Sequence, residues 1–558
     1  MSQKNLSRRT FLTGTALAGA GAALAGLAGC APAAEDKAKG EEALSQTGAE
    51  APVATASAGD FAIAAVKVAD AGAPVKECDY LVIGAGNCGM MSAAHAGSLG
   101  LSTIVLEKTS ITSGSSVGTE VTMGFSDNKP IIEGAKDPNI VNVSQEAGTP
   151  AEIYDWFMKH NSYKANAELV SNYIKNNHRQ HDFLYDHGAR PMMLLPSLDA
   201  PTNGIMYEGQ GIGAHDVMES AAREYGVEIL VESPATALVV DDQGAVVGAM
   251  ATIDGSEGYV AAKAVFVGTG GFSNNEAMVE ALIPGWGPLA WKNDGHLAHD
   301  GDGICMMLGA GAVPSDTSFA QPAGSGVEGA TWESAIDRAG REPYLWVNRM
   351  GERLANEKWT TMDQTYKVAI NQDDYCYFNI IDSNAVKRMQ TEPFMCDART
   401  VLGSNDPMEN MGEELEAGVE SGLLYKGETL AELAQAAGID PEGLEATVAA
   451  YNELCKKGED DQFFKPAEYL FTLEEGPFYA LRNIPGWYST LCGVKINGKI
   501  QVIDETGHAI PGLYAGGLDS GEFFKDDYYH GFSGSCSGYS YFTGFFAADM
   551  AKEYIDSL

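Results

Sequence analysis

The sequence predicts an α/β fold built on a parallel sheet, and three stretches carry the prediction. Cys78-Asp79-Tyr80-Leu81-Val82-Ile83 is a short apolar strand running directly into Gly84-Ala85-Gly86-Asn87-Cys88-Gly89. From Met90 to Leu99 the pattern turns helical. A second strand, Ser102-Thr103-Ile104-Val105-Leu106, then ends in Glu107, 18 residues past Gly89. Strand, glycine turn, helix and terminal acid at that distance form a dinucleotide-binding fingerprint.

What precedes the fingerprint reads as address and tether. Ser7-Arg8-Arg9-Thr10-Phe11-Leu12 is a twin-arginine export signal, followed by a weakly apolar Ala/Gly stretch and Leu27-Ala28-Gly29-Cys30. The last four residues resemble a lipoprotein cleavage box, which makes Cys30 the expected lipidated first residue; the alternative is a simple cleaved signal with a chance Cys. Residues 1–30 are read as signal, and the protein as exported and lipid-anchored at the outer face of the cytoplasmic membrane. One acyl set anchors only in cooperation with other contacts. Residues 31–76 are Ala, Glu, Lys, Gly, Ser and Thr with few large apolar side chains, and are expected as a disordered tether.

Composition narrows the partners. The 558 residues suffice for two packed domains, and 45% apolar content reads as globular. The formal charge of -40, or -43 once Lys4, Arg8 and Arg9 leave with the signal, repels nucleic acid and anionic lipid surfaces. Nine Cys show no Cys-x-x-Cys pair and no Cys-x-x-Cys-His, so neither haem nor an iron-sulfur cluster is expected in this chain. His181, His187, His296 and His299 lack metal-ligand spacing and are read as surface or core residues.

The glycines have separate tasks. Gly84 permits the tight turn, Gly86 admits a pyrophosphate, and Gly89 lets helix pack on strand; the helix N-terminus faces the phosphates and Glu107 holds ribose hydroxyls. An exported compartment holds no useful NAD(P)H pool. The dinucleotide is therefore expected to be FAD, non-covalently bound during cytoplasmic folding.

From Asp79 to the C-terminus the chain resembles the flavoprotein family that includes soluble fumarate reductases, succinate dehydrogenase flavin subunits, urocanate reductases and 3-ketosteroid dehydrogenases. Beyond the fingerprint, the likeness rests on Val231–Leu238, Val265–Asn274, Gly301-Asp302-Gly303-Ile304 with Leu308-Gly309-Ala310, and Val347-Asn348 with Gly351, Arg353, Asn356 and Glu357. Gly476–Ala480 and Ile510–Gly517 complete it. The resemblance implies a Rossmann-like FAD-binding domain of two separated segments, 77–319 and 490–558, with an inserted α+β capping domain at 320–489. Substrate would lie between cap and flavin, in a cleft that closes. Implied cofactor contacts are Gly84, Ala85, Gly86, Gly89, Glu107, Lys108, Ala235, Thr269, Gly270, Asp302 and Asp519, with Ser115 and Ser116 passing the isoalloxazine. Gly534, Ser535 and Ser537, in a small-residue loop before the last helix, would offer N–H groups to the flavin pyrimidine edge.

The pattern fails where fumarate reductases of this family grip two carboxylates with paired arginines and histidines. The two histidine positions align with Gln321 and Ser489, and the two arginines with Thr361 or Met362 and with Gly531. No arginine follows Arg482. A carboxylate substrate is disfavoured, although Arg338 or Arg341 could offer a single relocated contact, Arg341 being the first candidate, and Arg353 is read as a buttress of its own turn. Gln321, Ser489, Gly534 and Arg341 are the expected substrate contacts.

Aromatic and hydroxylic residues stand in place of the clamp: Asp527-Tyr528-Tyr529-His530-Gly531 and Trp487-Tyr488-Ser489. Ketosteroid dehydrogenases place a tyrosine four residues before a glycine; here Tyr529 stands five before Gly534 and His530 four. Tyr529, His530, Tyr488 and Tyr344 are the candidate proton donors, since a neutral tyrosine or a histidine can protonate the carbon opposite hydride delivery or polarise an enone oxygen. The expected activity is FAD-dependent reduction of an activated C=C bond in a neutral, aromatic or polycyclic α,β-unsaturated carbonyl compound. Electrons would come from a separate quinol dehydrogenase, cytochrome or small flavoprotein. Alternatives are a ketosteroid-type dehydrogenase running the reverse reaction, an unsaturated-carboxylate reductase with a relocated arginine, and a non-catalytic electron relay.

Overall fold

The computed structural model describes residues 58–558 except 120, 198–199, 284–290, 293–297, 318, 332–333, 359–361, 373, 396–405, 526 and 529–533. Three sheets organise them. The largest has nine strands around Ser256–Val267, which pairs in parallel with Pro74–Ile83 on one side and with Ala509–Ala515 at its C-terminal end. Thr103–Leu106 and Glu228–Leu230 extend the parallel set beyond Pro74–Ile83. These central strands are fully buried where they lie deepest, Val265, Phe266 and Val267 among them, as a parallel sheet covered on both faces requires.

Ala235–Val240, Val246–Ile253 and Ser256–Val267 form an antiparallel meander. Its first turn spans Asp241–Ala245, where Asp241-Asp242 and Gly244 between two apolar runs predict a hairpin: the Asp241 carboxylate accepts from Gln243 N and Ala245 N, at 2.8 and 2.9 Å. A smaller four-stranded sheet, Thr122–Gly124, Asn203–Tyr207, Pro191–Pro196 and Val141–Asn142, was not anticipated.

The third sheet has six strands and belongs to the inserted segment. Ala320–Val327 opens the main part and Phe478–Thr490 closes it, antiparallel to each other, with Leu345–Val347, Tyr377–Ile381 and Tyr425–Gly427 between them in sequence. Trp291–Lys292 also joins Phe478–Thr490, so one strand of this sheet precedes the expected boundary at 320. Two apolar cores lie within the insert, one around Tyr344, Met411 and Leu481 and one around Phe378, Leu433 and Tyr451.

The tether reading needs correction at its C-terminal end. From Ala58 the chain is ordered against the flavin-binding part: Ile63 N donates to Cys305 O at 2.9 Å, and Val66–Lys67 adds a parallel edge strand to Val239 and Val240. The strand expected from Cys78 starts at Pro74. Averaged composition over 31–76 concealed Phe61, Ile63 and Val66, three apolar side chains at close spacing, enough for a short edge strand. The signal, Cys30 and the rest of the tether lie outside the described residues.

The last helix, Ser535–Ser557, crosses the fingerprint helix Asn87–Ser98 with almost no gap. A Cβ on Gly544 would fall on the Cys88 carbonyl oxygen. His95 stacks on Phe545, centroids 3.5 Å apart, and its Nε2 meets Asp549 at 2.9 Å, which Arg179 also holds at 2.6 Å. This crossing fixes the final helix against the glycine turn.

Candidate active site

The site grows from two glycine turns at the ends of adjacent parallel strands. Gly84 has φ +98°, open to glycine at little cost, and a Cβ there would strike the Gly268 carbonyl of the second turn. A Cβ on Gly89 would land on the Gly84 carbonyl oxygen, so this glycine sets how closely helix approaches strand. Gly86 differs: an added Cβ there meets nothing within 4 Å. No packing demand explains Gly86, which stands at the N-cap of Asn87–Ser98 without a side-chain cap. The space above it is bounded by Gly114, whose Cβ would come 3.6 Å from the Gly86 Cα. An uncapped helix N-terminus beneath an open glycine cradle fits a pyrophosphate, and the 3-10 turn Gly114–Gly118 begins at its edge.

Glu107 is held rather than loose. Its Oε2 accepts from Ala85 N at 2.9 Å, and its Oε1 from Thr109 N and Oγ1 at 2.8 Å each. The carboxylate therefore stands at the turn with lone pairs left for a ribose. Glu232 N and Ser233 N bond to Thr109 O and Glu107 O, bringing the start of Ala235–Val240 alongside. Lys108 pairs with Asp300 at 2.8 Å and Asp302 at 2.7 Å, tying Asp302, first residue of the helix Asp302–Gly309, to the same corner.

Asp519 is buried beneath the second turn. Its carboxylate accepts from Thr269 N, from Thr269 Oγ1 at 2.9 Å and from Gly271 N at 2.9 Å. Burial raises its pKa, and these donors oppose the rise without cancelling it. Asp519 thus braces Thr269 and Gly270 in place.

Gly534, with φ +73°, caps the last helix and passes its carbonyl to Met123 N at 3.0 Å; a Cβ there would collide with Val121 O. Ser535 is fully buried and Ser537 half-buried. Beside them sits Tyr528. Its phenol is buried against Ser535 and the Cys536 backbone, with Tyr488 in electrostatic reach, and burial pushes its pKa up. Tyr529 and His530 lie outside the described residues.

The cap supplies the opposite wall. Gln321 and Ser489 are paired across the strands Ala320–Val327 and Phe478–Thr490, and Ser489 Oγ–H donates to Gln321 Oε1 at 3.1 Å. Thr490, the next residue, receives Phe272 N on its hydroxyl at 3.1 Å, and a Cβ on Gly271 would fall on that oxygen. The two residues standing in for the family's histidines therefore lie together, one residue from the second glycine turn. Sequence reasoning missed Thr490, because nothing local marks a hydroxyl whose partner lies 218 residues away.

Two expected site residues, Arg341 and Tyr344, lie inside the cap. Arg341 is only 2% exposed and its Nη2 donates to Asp337 at 2.9 Å, within the helix Ala335–Arg341. That nitrogen is committed to a fully buried carboxylate inside the cap. Tyr344 is buried in a core made wholly of cap residues, its hydroxyl 3.4 Å from Ala385 O, lining a cavity of about 310 Å³ with Arg388 and Phe471. Desolvation by that core raises its pKa, so it stays a neutral structural phenol. Arg353 makes paired bonds to Glu357, both at 2.8 Å, and to Asp460 at 3.1 and 2.8 Å, which buttresses its turn. No group of three metal-binding side chains occurs among the described residues.

Comparison with known proteins agrees with this geometry. A vinyl phenol reductase of Lactiplantibacillus plantarum is 27% identical over 498 residues, covering 85% of this chain and 96% of that protein. A probable fumarate reductase of Shewanella frigidimarina is 26% identical over 481 residues, covering 82% and 72%. The crystal structure of a 3-ketosteroid-Δ4-(5α)-dehydrogenase from Rhodococcus jostii superposes with a TM-score of 0.67 at 21% identity, over 88% of this chain and 99% of that one. The family described as FAD binding domain matches residues 79–535, and the chain belongs to it: a flavin-dependent oxidoreductase.

Proposed function

We propose that this family member reduces an activated C=C bond in a neutral, aromatic or polycyclic substrate, either an α,β-unsaturated carbonyl compound or a phenol conjugated to the alkene. The observation that carries the reading is the hydrogen-bonded Gln321–Ser489 pair beside the second glycine turn. A side-chain amide and a hydroxyl offer hydrogen bonds without net charge. They suit a ketone or phenol oxygen and cannot neutralise a carboxylate as an arginine fork does. With Ser489 donating to Oε1, the Gln321 amide N–H₂ is left to face a ligand, and it makes no bond among the described residues. That Arg341, the first candidate for a relocated clamp, bonds to Asp337 inside the cap favours the same reading. The similarity to a vinyl phenol reductase, whose named substrate is a neutral aromatic alkene, supports the same class.

FAD, when bound, supplies the hydride. The chain's own part is to hold substrate between cap and flavin-binding segments, exclude water, and deliver a proton to the other alkene carbon. We assign that proton to Tyr529 or His530, with Tyr488 as the next candidate; Tyr528, deep at the helix N-terminus, orients its neighbours. We further propose export through the twin-arginine signal, a lipid on Cys30, and a separate quinol dehydrogenase, cytochrome or flavoprotein as electron donor.

The test is anaerobic reduction of the holoenzyme with a viologen, followed by reoxidation with two acceptor sets. Vinyl phenols and neutral enones are expected to reoxidise the flavin at least tenfold faster than fumarate, urocanate or cinnamate. Faster reoxidation by a carboxylate would overturn the reading.

A further inference from the structure

One carboxylate joins three parts of the chain that are distant in sequence. Asp527 uses its two oxygens separately: Oδ2 meets His160 Nε2 at 3.0 Å, and Oδ1 meets Lys367 Nζ at 3.1 Å. His160 ends the helix Pro150–His160, and its ring is stacked on Trp156 with centroids 4.9 Å apart and planes at 7°. The imidazole is therefore fixed by the indole and lies beside the carboxylate. Lys367 belongs to the cap helix Met362–Ile370, which sends Tyr366 into the main core and Ala369 against Trp346 and Tyr377.

The Lys367–Asp527 ion pair ties the cap to the flavin-binding part. Burial would raise the Asp527 carboxyl, but His160 and Lys367 outweigh it and hold the group below the ordinary carboxylate range. The carboxylate stays ionised at neutral pH and keeps both partners. Directly after Asp527 comes Tyr528, the phenol buried at the N-terminus of the last helix. A pull on Lys367 is thus a pull on the backbone that presents Tyr528.

We propose that Asp527 is a positioning residue, a clasp through which the cap helix Met362–Ile370 sets the backbone that presents Tyr528 at the N-terminus of the last helix. The clasp rests on the reading above that substrate lies between cap and flavin. Lys367 is half-exposed, and its ammonium forms the detachable side; His160, stacked and partly covered, forms the permanent side. Such a clasp acts after substrate binds, by raising the fraction of enzyme in the assembled state, so its loss falls on kcat more than on KM.

The experiment compares Lys367→Met, Asp527→Asn and the double variant with the parent holoenzyme, measuring amide hydrogen exchange over 362–370, FAD content, and kcat and KM with a neutral acceptor. Both single variants are expected to keep their FAD, to exchange faster across 362–370, and to lose about three- to tenfold in kcat with KM changed less than twofold. The double variant should be no worse than Asp527→Asn alone, because both changes undo one contact. Lys367→Met alters an exposed side chain, so it remains informative if Asp527→Asn fails to fold. Exchange as slow as in the parent, additive losses, or faster exchange with kcat unchanged would each overturn the clasp. The exchange measurement needs no substrate, so a failure of the neutral-acceptor reading would appear in the reoxidation panel and not here.

Discussion

At the first glycine turn the neighbours that matter are backbone atoms: a Cβ on Gly84 would meet Gly268 and one on Gly89 would meet Gly84. At the cap wall the neighbours are side chains, and Gln321 reaches Ser489 only because two strands whose partners are 168 positions apart in sequence pair in one register. The first arrangement demands a residue type, glycine, and leaves a mark in the sequence. The second demands a register. Two irregularities interrupt the pairing at Pro322, and a slip of one residue would turn Gln321 to the other face. The flavin half is thus rigid and generic, while the cap half is specific to this chain.

The largest effects should follow from breaking the rigid half. Gly89→Val is expected to abolish accumulation of folded holoenzyme, since the new Cβ would overlap a backbone oxygen that cannot withdraw. Gly86→Ala sharpens the contrast: its Cβ enters open space, so the apoprotein should melt within about 2 °C of the parent while FAD affinity falls at least about tenfold, as a group intruding on phosphate contacts would cause. Equal loss of apoprotein stability in both variants would mean that Gly86 is a packing glycine and not a phosphate cradle. Calorimetry with and without added FAD makes the comparison.

In the cap, Arg341→Leu leaves Asp337 buried without its guanidinium and should cost about 3–5 kcal/mol of stability. The preference for neutral over carboxylate acceptors should survive in whatever folds. A shift in that preference would return Arg341 to the substrate site. Denaturant titration gives the first number and the reoxidation panel the second.

Smallest are the effects of two polar groups that the sequence could not rank. Gln321→Ala should raise KM for a neutral acceptor about five- to tenfold, the worth of about one hydrogen bond, with little change for fumarate. Tyr344→Phe should leave both kcat and KM within about twofold, because its hydroxyl faces Ala385 within the cap core. Reversal of that order would place Tyr344 at the chemistry and Gln321 in the wall.

The sequence alone determined the strand–turn–helix at Cys78–Leu99, the terminal acid Glu107 and the Asp241–Ala245 hairpin, because backbone approach and local turns restrict which residues serve, while the two-part flavin fold followed from the family resemblance. It also located Gln321 and Ser489, by alignment with positions whose usual histidines are missing. Only the tertiary structure decided that these two are bonded to each other beside Thr490, that Arg341 and Tyr344 turn inward, and that residues from Ala58 add an edge strand. Each of those outcomes depends on which surfaces meet after distant segments pack. An arginine or a tyrosine has the same letters whether it faces a buried partner or a substrate, and packing makes that choice.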